Sequence, residues 1–133
     1  MSTLEEKLSL LKEMIEFARV DGVVHDRECQ FLYIVANHLK VSSEILEGLF
    51  NHDVPHIVIK SEQQRILQFY RLALLMHTDG ILHVNEQKAI REIGINMGLS
   101  PFAMKGVLRE MENSPTGVID TGILTALFRA QHN

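Results

Sequence analysis

Apolar residues recur along most of this chain at spacings of three and four, the period of a helix with one buried face. In the first twenty residues the recurring positions are Leu4, Leu8, Leu11, Ile15 and Ala18. They predict a helix over about 3–20, capped by Ser2 or Thr3. The same period predicts a second helix over 28–40 and a short third one over 42–50, opened by Ser42.

The segment 51–60, NHDVPHIVIK, interrupts the helical pattern. Pro55 disfavours the helical conformation at Val54, and the three residues 57–59 are all β-branched. We therefore expect an extended crossover between two halves of one domain, which run over about 3–50 and 61–112.

Helical patterning returns after Ser61, and apolar residues between Ile66 and Met76 leave almost no polar face. Such a helix belongs in the middle of a core. A further helix is predicted to end near Gly98, and another begins at Ser100 and Pro101, a cap followed by proline at the first helical position. A final helix is predicted over about 116–131. The predicted fold class is all-α, a compact single-domain bundle of about seven helices.

Residues 17–42 and 75–100 repeat one pattern without a gap. Five residues of the first copy, Asp21, Gly22, His25, Glu28 and Ser42, recur as Asp79, Gly80, His83, Glu86 and Ser100. Each copy reads as the end of one helix, a glycine turn and the start of the next helix. The chain is therefore predicted to contain two pseudo-repeated helix–turn–helix units.

The composition and charge of the chain argue against several classes of function. The 133 residues suffice for one domain, and 17 acidic against 13 basic residues give a formal charge of −4. Because no basic cluster is present, we expect no nucleic-acid partner. The single cysteine, the lack of a signal-peptide pattern and the lack of a long apolar run predict a cytoplasmic protein with no membrane span.

The repeated turns have two interpretations. In the first, they only cap helices, since His25 and Glu28, like their counterparts in the second copy, have the spacing of a capping box. In the second, they bind a divalent metal ion. An aspartate, a glycine and a glutamate seven residues after the aspartate match the second half of a calcium-binding EF-hand loop. The first half does not match, because Phe17 and Arg19 stand where oxygen ligands belong.

Two carboxylates per turn would bind a cation weakly, but a pseudo-twofold arrangement would bring both pairs together. The predicted ligands are Asp21, Glu28, Asp79 and Glu86, with His25, Asp26 and His83 nearby. Four carboxylates held close together require a counter-ion or a proton, and oxygen with imidazole suits a hard or borderline divalent cation. Spacing by itself favours capping, because helix ends routinely recruit such residues.

No pattern indicates an enzyme. The chain lacks a G-x-S-x-G elbow, a phosphate-binding glycine loop, H-E-x-x-H and C-x-x-C. His52 and His56 have a helical spacing, but Pro55 lies between them, so they are not expected to share the helix face that a zinc pair needs. We predict no catalytic residues and no organic cofactor.

The repeated motif resembles the TerB-like family, which is associated with bacterial tellurite resistance. The similarity covers roughly residues 4–112 and is carried by Ala18-x-x-Asp21-Gly22 and Met76-x-x-Asp79-Gly80, together with Glu28 and Glu86. The second copy departs from the family pattern, since Val84 and Asn85 stand where an acidic residue is often found.

This resemblance implies a bundle of about seven helices without catalysis, and an acidic surface that takes divalent metal in stress-response systems. TerB-like domains also resemble the N-terminal domain of a membrane-anchored J-domain co-chaperone, which favours an interaction module. Two hypotheses follow. The protein is a metal-binding TerB-like domain, or it is an interaction module of the same fold. In the second case an apolar surface, such as the 54–59 crossover or the tail, meets a protein partner or a second copy.

Overall fold

The computed structural model describes residues 3–20, 22–78 and 84–129. These residues form seven α-helices and no strand, which confirms the all-α prediction. In chain order the helices are α1 (Leu4–Ala18), α2 (Asp26–His38), α3 (Ser43–Leu49), α4 (Glu62–His77), α5 (Val84–Asn96), α6 (Pro101–Asn113) and α7 (Thr121–Arg129).

Hydroxyl caps explain where several helices begin. Thr3 forms a complete capping box at α1, in which its Oγ1 accepts a hydrogen bond from the Glu6 amide (3.2 Å) and Glu6 Oε1 accepts one from the Thr3 amide (3.1 Å). The hydroxyls of Ser42, Ser61 and Ser100 accept hydrogen bonds from the third amides of α3, α4 and α6. The predicted starts of these helices are therefore confirmed.

The two helices that follow the repeated turns, α2 and α5, end in the same way. Beyond α5, Gly98 has a φ of 80° and the Leu99 amide donates to the Gly94 carbonyl (3.0 Å). Beyond α2, Lys40 has a φ of 62° and the Val41 amide donates to the Ala36 carbonyl (2.8 Å). Both ends are thus Schellman-type stops, with glycine at one and a lysine in the same left-handed conformation at the other.

The last helix begins at Thr121, later than the predicted start near residue 116, because the backbone before it makes other bonds. Gly117 has a φ of 77°, and the Tyr70 hydroxyl accepts from the Ile119 amide (2.9 Å) and donates to its carbonyl (3.3 Å). Asp120 Oδ1 then accepts from the Gly122 amide (2.6 Å), a turn that starts the helix at Thr121.

Helix α4 contacts α1, α5 and α7, as its lack of a polar face predicts. Its buried residues include Phe69, whose ring meets that of Phe128 in α7 edge to face, with centroids 6.2 Å apart. Helix α1 contacts α2, α3, α4 and α5, so it belongs to both halves of the core. The central pair α1–α4 therefore connects the two repeated units.

Residues 53–60 follow an irregular path along α1. The Ile57 amide donates to Ser9 Oγ (2.9 Å), and Ile57 and Ile59 are half-buried while Val58 is 70% exposed. This alternation is what an extended segment lying on a helix produces. Residues 53–60 are therefore neither helix nor strand, and an extended crossover between two halves of one domain stays a prediction.

Candidate functional site

Glu28 lies at the third position of α2, directly after the first repeated turn, and only 3% of its surface is exposed. His25 is the N-cap residue, with extended backbone angles. Its amide donates to Glu28 Oε1 at 3.0 Å, which is the glutamate half of a capping box. One carboxylate oxygen of Glu28 therefore serves the start of the helix.

Glu86 lies at the equivalent third position of α5 and is 1% exposed. The sequence repeat thus places both glutamates in the same register at the start of corresponding helices. Glutamate is almost never fully buried unless it is paired, and neither of these residues is without an interaction partner. Both carboxylates lie at the positive end of a helix dipole.

The two predicted aspartate ligands, Asp21 and Asp79, and the nearby His83 lie outside the described residues. The convergence of the two acidic turns therefore stays a prediction. The neighbouring candidates His25 and Asp26 are both exposed. Helix α2 makes its extensive contacts with α1 and α3, and α5 with α1, α4 and α6, so α1 is the neighbour that both share.

Over residues 3–20, 22–78 and 84–129, no three His, Cys, Asp or Glu side chains are grouped so that they could hold a metal ion. This range includes Glu28 and Glu86 but not the aspartates of the turns. A cation at this site would therefore need oxygen ligands from the Asp-Gly turns themselves, as the sequence hypothesis requires.

Sequence reasoning missed a polar network between α1 and α4. Gln68 is completely buried, and its Nε2 donates both to the Leu10 carbonyl (3.1 Å) and to Glu13 Oε1 (3.0 Å). Its Oε1 accepts from Arg71 Nη1 (3.3 Å). The available signal was the presence of Gln68 and Arg71 within an otherwise apolar helix, since a buried polar side chain must find partners.

Glu13 is the acidic member of this network. Burial raises the pKa of its carboxyl group, and the hydrogen bond from Gln68 and the nearby His56 ring only partly oppose that effect. His56 Nε2 lies 3.9 Å from Glu13 Oε2 at the exposed end of the network. A buried carboxyl group with a perturbed pKa is a common feature of ligand sites.

Within the described ranges, no helix combines the length and the apolar character that crossing a bilayer requires.

Comparisons with protein-family models, with curated proteins and with solved structures give no significant match. Nothing in these comparisons identifies a TerB-like protein, and the resemblance stays a prediction from the repeated motif.

Proposed function

We propose that the protein is a non-enzymatic TerB-like domain that binds a divalent metal ion at its two Asp-Gly turns. The ligands are Asp21, Glu28, Asp79 and Glu86. Oxygen ligands of this kind suit Ca²⁺, Mg²⁺ or Mn²⁺. A role in stress response or tellurite resistance rests on the resemblance and is part of the same proposal.

The observation that carries this proposal is the burial of Glu28 and Glu86 at equivalent positions of α2 and α5. A glutamate that only caps a helix needs to reach one main-chain amide, which it can do from the surface. Glu6 does so in α1 while it is only half-buried. Burial at both copies exceeds what capping requires, and a buried carboxylate is costly unless it is compensated by a cation or hydrogen bonds.

The second candidate is an interaction module of the same fold that binds no metal. It is favoured by the hydrogen bond from the His25 amide to Glu28 Oε1, which gives that carboxylate a structural role. The exposed side chains of Val58 in the crossover and Ile123 in α7 supply apolar surface at the two places predicted for a partner.

A substitution at Glu28 separates the two functions. Glutamine fits the third position of a capping box as glutamate does, so Glu28→Gln keeps the cap but removes a charged metal ligand. We expect chelator-treated wild-type protein to bind a cation in calorimetry with Ca²⁺, Mg²⁺, Mn²⁺ and Zn²⁺. A cation at about a hundred times its Kd stabilises the native state by about 2.7 kcal/mol, or roughly 10 °C in Tm for a chain of this size.

Glu28→Gln, Glu86→Gln and the double variant Asp21→Asn with Asp79→Asn should each lose most of this metal-dependent increase. Glu44→Gln is the matched control, because Glu44 is an exposed glutamate in the first turn of α3. Should no cation give heat and Tm not respond to a chelator, the metal function is wrong and the interaction module remains.

A further inference from the structure

A cleft of about 250 Å³ lies between α1, the crossover, the start of α4 and the end of α5. We call it the α1–α4–α5 cleft and define it by Glu13, His56, Ile59, Arg65, Asn96 and Met97. None of the residues that line it belongs to the Asp-Gly turns. Its wall combines aliphatic side chains with one acidic and one basic group, the composition typical of a small-molecule site.

Arg65 provides the basic group, and main-chain carbonyls fix its position. Its Nη1 donates to the Ile59 carbonyl (2.9 Å) and to the Lys60 carbonyl (3.1 Å). Its Nε is buried and has no acceptor among the described residues, none of which forms an ion pair with the guanidinium group. Nη2 makes no hydrogen bond to a described residue, so this nitrogen is left for a ligand, and a carboxylate is the partner that a guanidinium group favours.

Glu13 provides the acidic group on the α1 side. Gln68 holds its Oε1 from within the core, while Oε2 faces the largely exposed His56 ring. A partly buried carboxylate is unfavourable, and a glutamine in place of Glu13 would avoid that cost. The charge of Glu13 therefore calls for a cationic group close to it. Glu13 and Arg65 do not pair with each other. The basic group nearest to the Glu13 carboxylate is His56, whose Nε2 lies 3.9 Å from Oε2, and this ring is largely exposed.

From this arrangement we infer that the α1–α4–α5 cleft binds a small zwitterion with an aliphatic body, of the class of the free aliphatic α-amino acids. The ligand carboxylate binds the Arg65 guanidinium, the ligand ammonium binds Glu13, and the aliphatic side chain packs against Ile59, Ile93 and Met97. Because Arg65 Nε is buried, the ligand carboxylate binds at Nη2. This function does not depend on metal binding at the turns.

The charges of the cleft disfavour other ligand classes. A simple anion would meet Glu13, and an uncharged apolar molecule would cover both charges without compensating either. A metal ion would find one carboxylate and one imidazole, fewer ligands than a protein site normally supplies. A zwitterion of one amino acid's size compensates both charges at once.

The test is calorimetric titration of the full chain with L-leucine, L-isoleucine, L-valine and L-methionine. We expect saturable binding of at least one of them, with a Kd between about 10 μM and 1 mM. The matched probes for that ligand are its amide, which lacks the carboxylate, and the corresponding acid without the amino group. Each should bind at least tenfold more weakly, because each leaves one charge of the cleft uncompensated.

The variants Arg65→Gln and Glu13→Gln should each weaken binding at least tenfold. Arg65→Lys should weaken it as well, because a single ammonium group cannot both bond to the Ile59 and Lys60 carbonyls and present a second nitrogen to the ligand. Arg109→Gln and Glu110→Gln, which change exposed residues of α6, should leave the Kd unchanged. Thermal melts without ligand identify any variant that fails to fold, and Arg65→Lys then stands in for Arg65→Gln. The inference is overturned if none of the four amino acids binds up to about 10 mM, if the amide binds as tightly as the amino acid, or if both Arg65 variants retain the wild-type Kd.

Discussion

At the scale of single residues, the burial of His77 changes how readily its side chain binds a proton. It is the last residue of α4, and its Nε2 is buried with no hydrogen-bond partner among the described residues. Burial lowers the pKa of His77, and the attraction of Glu112 only partly opposes this. Arg91, which lines the same small cavity, adds a further positive charge to its surroundings. The native state therefore binds a proton at His77 less readily than the unfolded chain does.

The sign of the pH effect follows from this lowered pKa. Stability is lost as the pH falls below the unfolded value of about 6.5 and toward the lower pKa of the folded state. We predict that His77→Gln reduces the loss of stability between about pH 7.5 and pH 5.5. Urea denaturation of both proteins at the two pH values measures the effect, and the other histidines cancel in the comparison. Equal losses in the two proteins would contradict the assignment.

Lys40 and Gly98 occupy equivalent positions, and both have positive φ angles. A side chain strains the left-handed conformation, whereas glycine adopts it readily. We predict that Lys40→Gly stabilises the protein by about 0.5–1 kcal/mol and that Gly98→Ala destabilises it by a similar amount. Nothing lies within 4 Å of a Cβ added at Gly98, so that cost is one of backbone conformation alone. Chemical denaturation measures both changes, and a loss of stability in Lys40→Gly would be inconsistent with a Schellman stop there.

At the scale of elements, the short helix α3 depends on a side chain from α1. Lys12 is 7% exposed, and its Nζ donates to the carbonyl of Leu49, the last residue of α3, at 2.6 Å. A cation at a helix C-terminus satisfies an orphan carbonyl and interacts favourably with the helix dipole. The pairing with Asp53, at 3.8 Å, involves a fully exposed carboxylate.

We predict that Lys12→Met, which keeps most of the side-chain volume, destabilises the protein by about 1.5–3 kcal/mol. The loss arises because the Leu49 carbonyl is left without its charged donor. Asp53→Asn is the control and should have no measurable effect, since exposed ion pairs contribute little. Thermal or urea denaturation measures both variants. If Asp53→Asn proved as costly as Lys12→Met, the ion pair rather than the carbonyl bond would be the important contact.

The sequence predicted the helices well where local chemistry decides them. Periodicity predicted the buried faces of the helices. The caps predicted where four helices start, because a cap side chain bonds to an amide no more than three residues away. These caps are Thr3, Ser42, Ser61 and Ser100. The late start of α7 was missed because the Tyr70 hydroxyl, from a distant part of the chain, binds the Ile119 backbone before the helix. No local pattern reveals that bond, although the turn of Asp120 on Gly122 that begins the helix is local.

At the scale of the whole molecule, some features of the sites follow from the local sequence, and others arise only from how the helices pack. The third-position glutamates Glu28 and Glu86 follow from the repeat, and their depth of burial follows only from how the helices pack. The α1–α4–α5 cleft was not foreseen, because its charged groups Glu13 and Arg65 come from different halves of the chain. Single residues there have no motif, and their chemistry arises from packing alone.

The two repeated units are expected to unfold as one, because α1 packs on both α4 and α5, and the buried Gln68 of α4 bonds to the α1 carbonyl of Leu10.

The chain has no Trp and two tyrosines, so each half carries its own fluorescent reporter: Tyr33 lies in α2 and Tyr70 in α4. In Tyr70→Phe only Tyr33 reports, and in Tyr33→Phe only Tyr70 reports. We predict that the fluorescence midpoint of each variant in urea coincides with its own circular-dichroism midpoint, as a two-state transition requires. Tyr70→Phe should have the lower midpoint, since it leaves the buried Ile119 backbone without its partner, whereas Tyr33 bonds only to the exposed Glu47. Two separated transitions within either variant would mean that the halves fold independently, and the shared packing of α1 would then contribute little to cooperativity.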